Sequence, residues 1–272
     1  MRRRRGLLQA CEPMRGFRTR EGERQMLFHE AGREGAPVIV LLHGGGLSDW
    51  SWRHALAQLA EDYRIVTPVI EGHGAACGEP FVSIADSAAQ LVKYIDARWN
   101  GHVAALGGVS LGAQIAIAAL AQRGDIAGCA LLESALVERI PGRSMIGPMC
   151  RMCAGLIRRR WFAALQAREL GIPKDMFEDY FADTRRMTID LLVCVLESNA
   201  DFSLPPDLPR SLPAAIMVGE RERRIMRRSA RRLHEAMPGS ALYVLPGMKH
   251  GELSLAHPDA YARIVRETLR RA

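Results

Sequence analysis

One pentapeptide narrows the folds open to this chain more than any other feature: Gly108-Val109-Ser110-Leu111-Gly112, a G-x-S-x-G. Glycine and serine are common, so the motif is weak alone and its setting carries the argument. An apolar strand-like run, His102 to Gly107, leads into it, and an Ala-rich helical pattern, Ala113 to Gln122, leaves it. A serine on a sharp strand-to-helix turn needs small neighbours on both sides, and glycines supply the clearance and the unusual backbone angles. The helix start behind Ser110 also offers backbone N–H groups to a developing anion. The competing reading, a phosphate-binding loop, lacks the Lys-Ser/Thr of a P-loop and the third glycine of a dinucleotide fingerprint.

The rest of the chain repeats this strand-then-helix rhythm. Val38 to Leu42, Arg64 to Pro68, Ile126 to Leu132, Ala214 to Val218 and Ala241 to Leu245 read as strands, with Gln25 to Glu30 as an early edge strand. Helical patterns cover Trp50 to Leu59, Ser83 to Trp99, a stretch ending near Met237, and a last helix from Pro258. Such alternation predicts an α/β fold with a mostly parallel, doubly wound sheet. Between about 136 and 212 the rhythm breaks. Ser144 to Ile157, Arg160 to Glu169, Lys174 to Arg185 and Thr188 to Glu197 are helical, no strand is evident, and Pro205, Pro206, Pro209 and Pro213 close the segment. This reads as an all-helical lid inserted between two late strands, over the carboxyl edge where open α/β sheets bind ligands. A single domain over 17–272 is expected, with 1–16 as a disordered basic tail.

Composition limits the partners. No run of about 18 apolar residues predicts a membrane span. Arg2 to Arg5 resembles a signal-peptide start, but the apolar stretch Gly6 to Ala10 is shorter than the roughly 7–15 residues a signal needs. The expectation is a cytoplasmic protein without a membrane partner. Net charge is +7, and only Lys93, Lys174 and Lys249 of the 37 basic residues are lysine. The arginines are scattered without interleaved aromatics, which argues against nucleic acid. The densest run, Arg221 to Arg232, has Ile225, Met226, Ala230, Leu233 and Met237 at helical spacing, so its arginines read as a solvated helix face. Six cysteines fit free thiols, and Cys150-x-x-Cys153 has no second pair to complete a zinc site. No metal and no cofactor is expected. A small-molecule substrate is the expected partner, and a homodimer is left open.

Three further segments belong with Ser110. His43-Gly44-Gly45-Gly46 follows the strand Val38 to Leu42, and its consecutive glycines expose N–H groups able to hold an oxyanion; a plain turn is the alternative. His250 lies in a glycine-flanked loop after the final strand, Pro246 to Gly251, and is the candidate base. His43 and His73 read as structural. The acid that orients the base has three candidates: Glu222, the choice in the loop Gly219-Glu220-Arg221-Glu222, Glu220, which lies nearer the strand end, and Glu133, directly after the strand Ile126 to Leu132.

In this order the segments resemble the α/β-hydrolase fold superfamily, from about Val38 to the carboxyl terminus excluding the helical insert. The matching parts are the strand with HGGG, Trp50 to Leu59, Glu71-Gly72-His73-Gly74, the elbow, Gly219 to Glu222 and Gly247 to His250. The resemblance implies Ser110 as nucleophile, His250 as general base, Glu222 as acid, and the backbone N–H groups of Leu111 and of Gly45 or Gly44 as an oxyanion hole. Two positions depart from the family pattern. Glu222 stands where Asp is usual, and Pro68 is followed by Val69 where Asp is usual. Some relatives take their acid from the strand end that carries Glu133, but those have an aspartate nucleophile.

The implied activity is hydrolysis of a carboxylic ester, with a small to medium, partly apolar acyl group, through an acyl-enzyme. Acyl transfer, carbon–carbon bond hydrolysis and ligand binding with little turnover are the alternatives. Met145, Met149, Met152, Phe162, Met176, Phe177 and Phe181 are candidates to line the acyl pocket, or else pack the lid onto the sheet.

Overall fold

The computed structural model describes residues 26–272. The expectations for 1–16, Cys11 and Gln25 lie outside them. Among the described residues seven strands form one sheet: β1 (Leu27–Gly32), β2 (Val38–Leu42), β3 (Arg64–Val69), β4 (Val103–Val109), β5 (Ala127–Glu133), β6 (Ala214–Gly219) and β7 (Ser240–Leu245), in the order β1-β3-β2-β4-β5-β6-β7. Only β1 is antiparallel, paired with β3 from Leu27↔Val69 to Gly32↔Arg64. The other strands are parallel, as the alternation of strands and helices predicts. Because β3 follows β2 on one side and β5 follows β4 on the other, the connections leaving the neighbouring strands β2 and β4 diverge and open a crevice at the carboxyl edge.

Both faces of the sheet are covered, which is why β2 reads as an unbroken apolar run. Ile39 and Leu41 face one core with Trp52, Leu59, Tyr261 and Val265. Val40 and Leu42 face the other with Leu91, Ile95, Ile115 and Leu233. Helices α1 (Arg53–Leu59) and α11 (Pro258–Leu269) supply the first face. Helices α2 (Ile84–Trp99), α3 (Leu111–Gln122) and α9 (Arg224–Ala236) supply the second. Ser83 caps α2 by accepting the Asp86 N–H. Along α9, Met226, Ala230 and Leu233 are buried, and Arg228 and Arg232 pair with Glu138. One short helix, α10 (Glu252–Ala256), goes beyond the sequence expectation.

The segment between β5 and β6 carries α4 (Ile146–Met152), α5 (Ala154–Ile157), α6 (Arg160–Glu169), α7 (Phe177–Arg186) and α8 (Ile189–Asp201). Three acids spaced four residues apart fasten it to the start of α1. Trp50 Nε1 donates to Asp183 at 2.7 Å, Arg53 donates to Asp179 at 2.6 Å, and the His54 ring meets Asp175 at 2.9 Å. That spacing places the carboxylates on one helical side. Gln114 of α3 ties down the far end, donating to Leu136 O and Asn199 O and accepting from the Asn199 amide.

Candidate active site

Ser110 joins β4 to α3 with φ 54° and ψ −113°, a conformation outside the regions that side-chain-bearing residues favour. The packing around it explains the motif. A Cβ on Gly112 would lie 2.2 Å from Leu42 O, and one on Gly108 would lie 2.5 Å from the Gly112 carbonyl carbon. Any side chain at either position would push β2, β4 and α3 apart. The turn is held by Ser110 N–H donating to Glu133 O and by Gln114 N–H donating to Ser110 O. Such strain persists only where the surroundings impose it.

Three side chains converge here from three connections. Ser110 Oγ donates to His250 Nε2 at 2.9 Å, and His250 Nδ1 donates to Glu222 Oε2 at 2.7 Å. A carboxylate cannot donate, so its contact puts the ring proton on Nδ1 and leaves Nε2 free to accept the serine proton. The Glu222 side chain is fully buried, while His250 is 34% exposed. A histidine reachable from solvent and braced by a buried carboxylate is suited to repeated proton transfer.

Glu222 is satisfied on both oxygens. Its Oε1 accepts the Gly219 N–H at 2.8 Å and the Ser134 hydroxyl at 2.8 Å. The loop Gly219–Glu222 thus folds back on the end of β6, which takes up the extra methylene that glutamate has over aspartate. Glu133, the other candidate acid, has different partners. It accepts the Leu253 N–H at 3.1 Å and the Ser254 N–H at 3.3 Å, and burial pushes its carboxyl up to about 7. It anchors the segment just past His250, with no hydrogen bond to the ring among the described residues.

Sequence reasoning passed over Ser134. It sits at φ 53°, donates to Glu222, and its Oγ accepts the Gly251 N–H at 3.1 Å. One hydroxyl therefore links the acid to the loop carrying His250. The only sequence signal was its place immediately after the strand that ends in Glu133.

The HGGG segment lies beside the elbow. A Cβ on Gly44 would fall 3.6 Å from Val109 O, and one on Gly45 would fall 3.8 Å from Leu111 Cβ. Leu111 opens α3, so its N–H has no acceptor within the helix and is available to an anion. His43 is structural: it is buried, donates through Nδ1 to Gly44 O and accepts the Ile70 N–H on Nε2. Burial lowers its pKa to about 3 and keeps it neutral. His73 is buried too, with its pKa lowered by desolvation. Glu71 spends its carboxylate on Ser87 of α2, at 2.9 Å, and Val69 fills the core.

The structure differs from the pocket expectation. Met145 and Met149 are 63% and 60% exposed. Gly147 lets the other side of α4 approach Val193 and Glu197 of α8, which turns the methionines outward. Met152 is exposed as well. Phe177 and Phe181 stack 6.1 Å apart and pack with Leu47, Trp50, Tyr180 and buried Met176, where they seat the insert. Over the HGGG segment and the nearby Gly72 lie side chains of α8. Val195 Cγ1 would be 3.4 Å from a Cβ on Gly45, and Leu191 presses on Gly72.

Comparison with known proteins agrees with this fold. Residues 39–264 match the model of the alpha/beta hydrolase family. An 83-residue stretch is 35% identical to epoxide hydrolase A of Mycobacterium tuberculosis, covering 27% of this chain and 26% of that relative's length. Among solved structures, a thermophilic esterase from Thermogutta terrifontis superposes with a TM-score of 0.71 at 20% identity, covering 94% of this chain and 96% of that one. The 2-hydroxy-6-oxo-6-phenylhexa-2,4-dienoate hydrolase of Rhodococcus sp. strain RHA1 superposes with a TM-score of 0.74 at 18% identity, covering 92% and 96%. At those identities the structural likenesses speak for the fold.

Proposed function

This chain belongs to the alpha/beta hydrolase family, and we propose that it is a serine hydrolase that cleaves a carboxylic ester through an acyl-enzyme at Ser110. The observation that carries this reading is the unbroken chain of hydrogen bonds from Ser110 through His250 to Glu222. His250 takes the hydroxyl proton as Ser110 Oγ bonds to the carbonyl carbon. The backbone N–H groups of Leu111 and of Gly45 or Gly44 hold the resulting oxyanion, each such donor contributing about 2.7–4 kcal/mol to the transition state. Collapse of the tetrahedral intermediate breaks the bond to the alkoxy oxygen, and His250 returns the proton to the departing alcohol. Water, deprotonated by the same histidine, then releases the acid and restores Ser110. The buried Glu222 carboxylate stabilises the imidazolium in both halves.

The helical insert acts as a lid in this reading. Its α8 places Val195 over Gly45 of the HGGG segment and Leu191 over Gly72, so in this reading the two supply an apolar wall where an acyl chain would enter. The local likeness to an epoxide hydrolase does not carry epoxide chemistry here. A serine alkoxide opening an epoxide would leave an ether, which the same water could not hydrolyse; a carboxylate nucleophile would leave a cleavable ester.

Hydrolysis of p-nitrophenyl esters of increasing acyl length, by the wild type and Ser110→Ala in parallel, tests the proposal. Turnover in the wild type that vanishes in the folded variant supports it. Equal turnover in both, or none in either across the series, contradicts it. Carbon–carbon bond cleavage would use the same three side chains, and including a vinylogous 1,5-diketone among the substrates separates the two chemistries.

A further inference from the structure

Large apolar side chains left in water are concentrated on one part of this molecule. Met145, Met149, Met152, Leu156, Trp161 and Leu165 are all 40–79% exposed, and all fall within α4 to α6 and the turn before α4. They follow helical spacing. Met145, Met149 and Met152 form one stripe opposite the Gly147 contact, and Trp161 and Leu165 form another opposite buried Ala163 and Ala167. Scattered exposed apolar residues are ordinary, but a run of this kind marks a surface that meets something.

Charge identifies the partner. Residues 143–168 contain six arginines and no acidic residue, whereas 169–201 contain eight acids and three basic residues. The second half turns acids toward the rest of the molecule, where Asp175, Asp179 and Asp183 meet His54, Arg53 and Trp50. In the first half Arg143, Arg151 and Arg160 pair with Asp201, Asp190 and Glu178 of the second. Arg158, Arg159 and Arg168 are exposed and form no ion pair among the described residues.

We propose that the α4–α6 face of the insert docks on an anionic lipid surface, with its methionine, leucine and tryptophan side chains entering the headgroup boundary and its arginines meeting phosphate groups. The exposed side chains protrude from short helices, as suits a fluid interface, and tryptophan bridges apolar and wet layers. Arginine stems pack along apolar surface while their guanidiniums reach anions. A second copy fits poorly, because a two-fold contact centred on Arg158, Arg159 and Arg168 would set unpaired arginines against unpaired arginines. The surface is peripheral, and among the described residues no helix is long and apolar enough to cross a membrane. This proposal departs from the sequence-based expectation of no membrane partner and is independent of the chemistry at Ser110.

Co-sedimentation of the full chain with phosphatidylcholine vesicles, with and without phosphatidylserine, tests it. The variants are Arg158→Gln with Arg159→Gln, and Trp161→Ser with Leu165→Ser. The expected result is binding to the phosphatidylserine vesicles that weakens with salt and falls about tenfold in each double variant. Hydrolysis of a short soluble ester and the circular dichroism spectrum should stay unchanged, which separates this proposal from the reading of Ser110. For the wild type alone, tryptophan fluorescence should be quenched by brominated acyl chains, and Trp161→Phe should lose that quenching. No vesicle binding overturns the proposal. Binding retained by both double variants also overturns it and moves the contact to another basic segment. Self-association that the variants abolish, without vesicle binding, makes the face a contact between copies. Equal binding to polyglutamate and vesicles, insensitive to Trp161→Ser with Leu165→Ser, makes the partner an acidic protein.

Discussion

The Ser134 hydroxyl donates to Glu222 Oε1 at 2.8 Å, from a residue held at φ 53° at the end of the neighbouring strand. The Gly251 N–H donates to Ser134 Oγ at 3.1 Å, so the acid and the histidine loop share one small support. Removing it leaves Glu222 with one donor fewer and frees Gly251 to shift. A hydrogen bond to a charged group is worth about 1.5–3 kcal/mol net. Ser134→Ala should therefore lower kcat at least tenfold, with KM near normal and the fold intact. Steady-state kinetics check this; a fall confined to KM would place Ser134 outside the support of the acid.

Glu222→Gln keeps the shape of the side chain and removes its charge. The amide can turn its NH2 toward His250 and reverse the ring tautomer. The expected loss in kcat is about 10³–10⁴. Near-normal rates would mean that another group, Glu133 first among them, orients the base.

Glu133 makes a different prediction, one about stability. Burial raises its carboxyl from an ordinary 4.5 to about 7. Between those values the native state binds more protons than the unfolded chain, so its contribution to stability declines as pH rises through that window and remains lost above it. Glu133→Gln cannot ionise. The variant should gain on the wild type as pH rises from about 5 to 8, by up to about 3 kcal/mol. Urea unfolding across that range measures the difference. A constant difference would show that Glu133 does not titrate there.

Trp50 and Asp183 hold the insert to the molecule. Trp50→Phe keeps the aromatic packing and removes the donor to a carboxylate whose side chain is only 12% exposed. Oδ2 then loses its donor, at a cost of about 1–3 kcal/mol, while Oδ1 keeps its ion pair with Arg186. Limited proteolysis should cut within the α4–α8 segment several times faster, while the unfolding midpoint of the sheet moves little. Unchanged cleavage would show that the Arg53 and His54 contacts suffice.

How far these features could be read in advance depended on where the information lay. Ser110, His250 and the strands were legible because a buried parallel strand, a glycine-flanked turn and an apolar helix each impose a local pattern. Glu222 and Glu133 could not be separated, since both follow parallel strands that lie side by side, paired at Glu133↔Met217. Their roles depend on which loop folds back, and Gly219 and Ser134 decide that through space. Ser134 itself has no local signature. The methionines of α4 showed a helical stripe, but periodicity cannot say which side meets the protein; Gly147 does that by allowing close approach. A helix as short as α10 leaves too little pattern to read.

The most direct test of the account is to trap the nucleophile. The full chain is treated with a fluorophosphonate, digested, and the modified peptide located by mass spectrometry, with Ser110→Ala alongside. The account predicts one adduct on Ser110 in the wild type, blocked by prior incubation with an ester substrate, and none in the variant. Labelling elsewhere, or ester turnover without any adduct at Ser110, would contradict it.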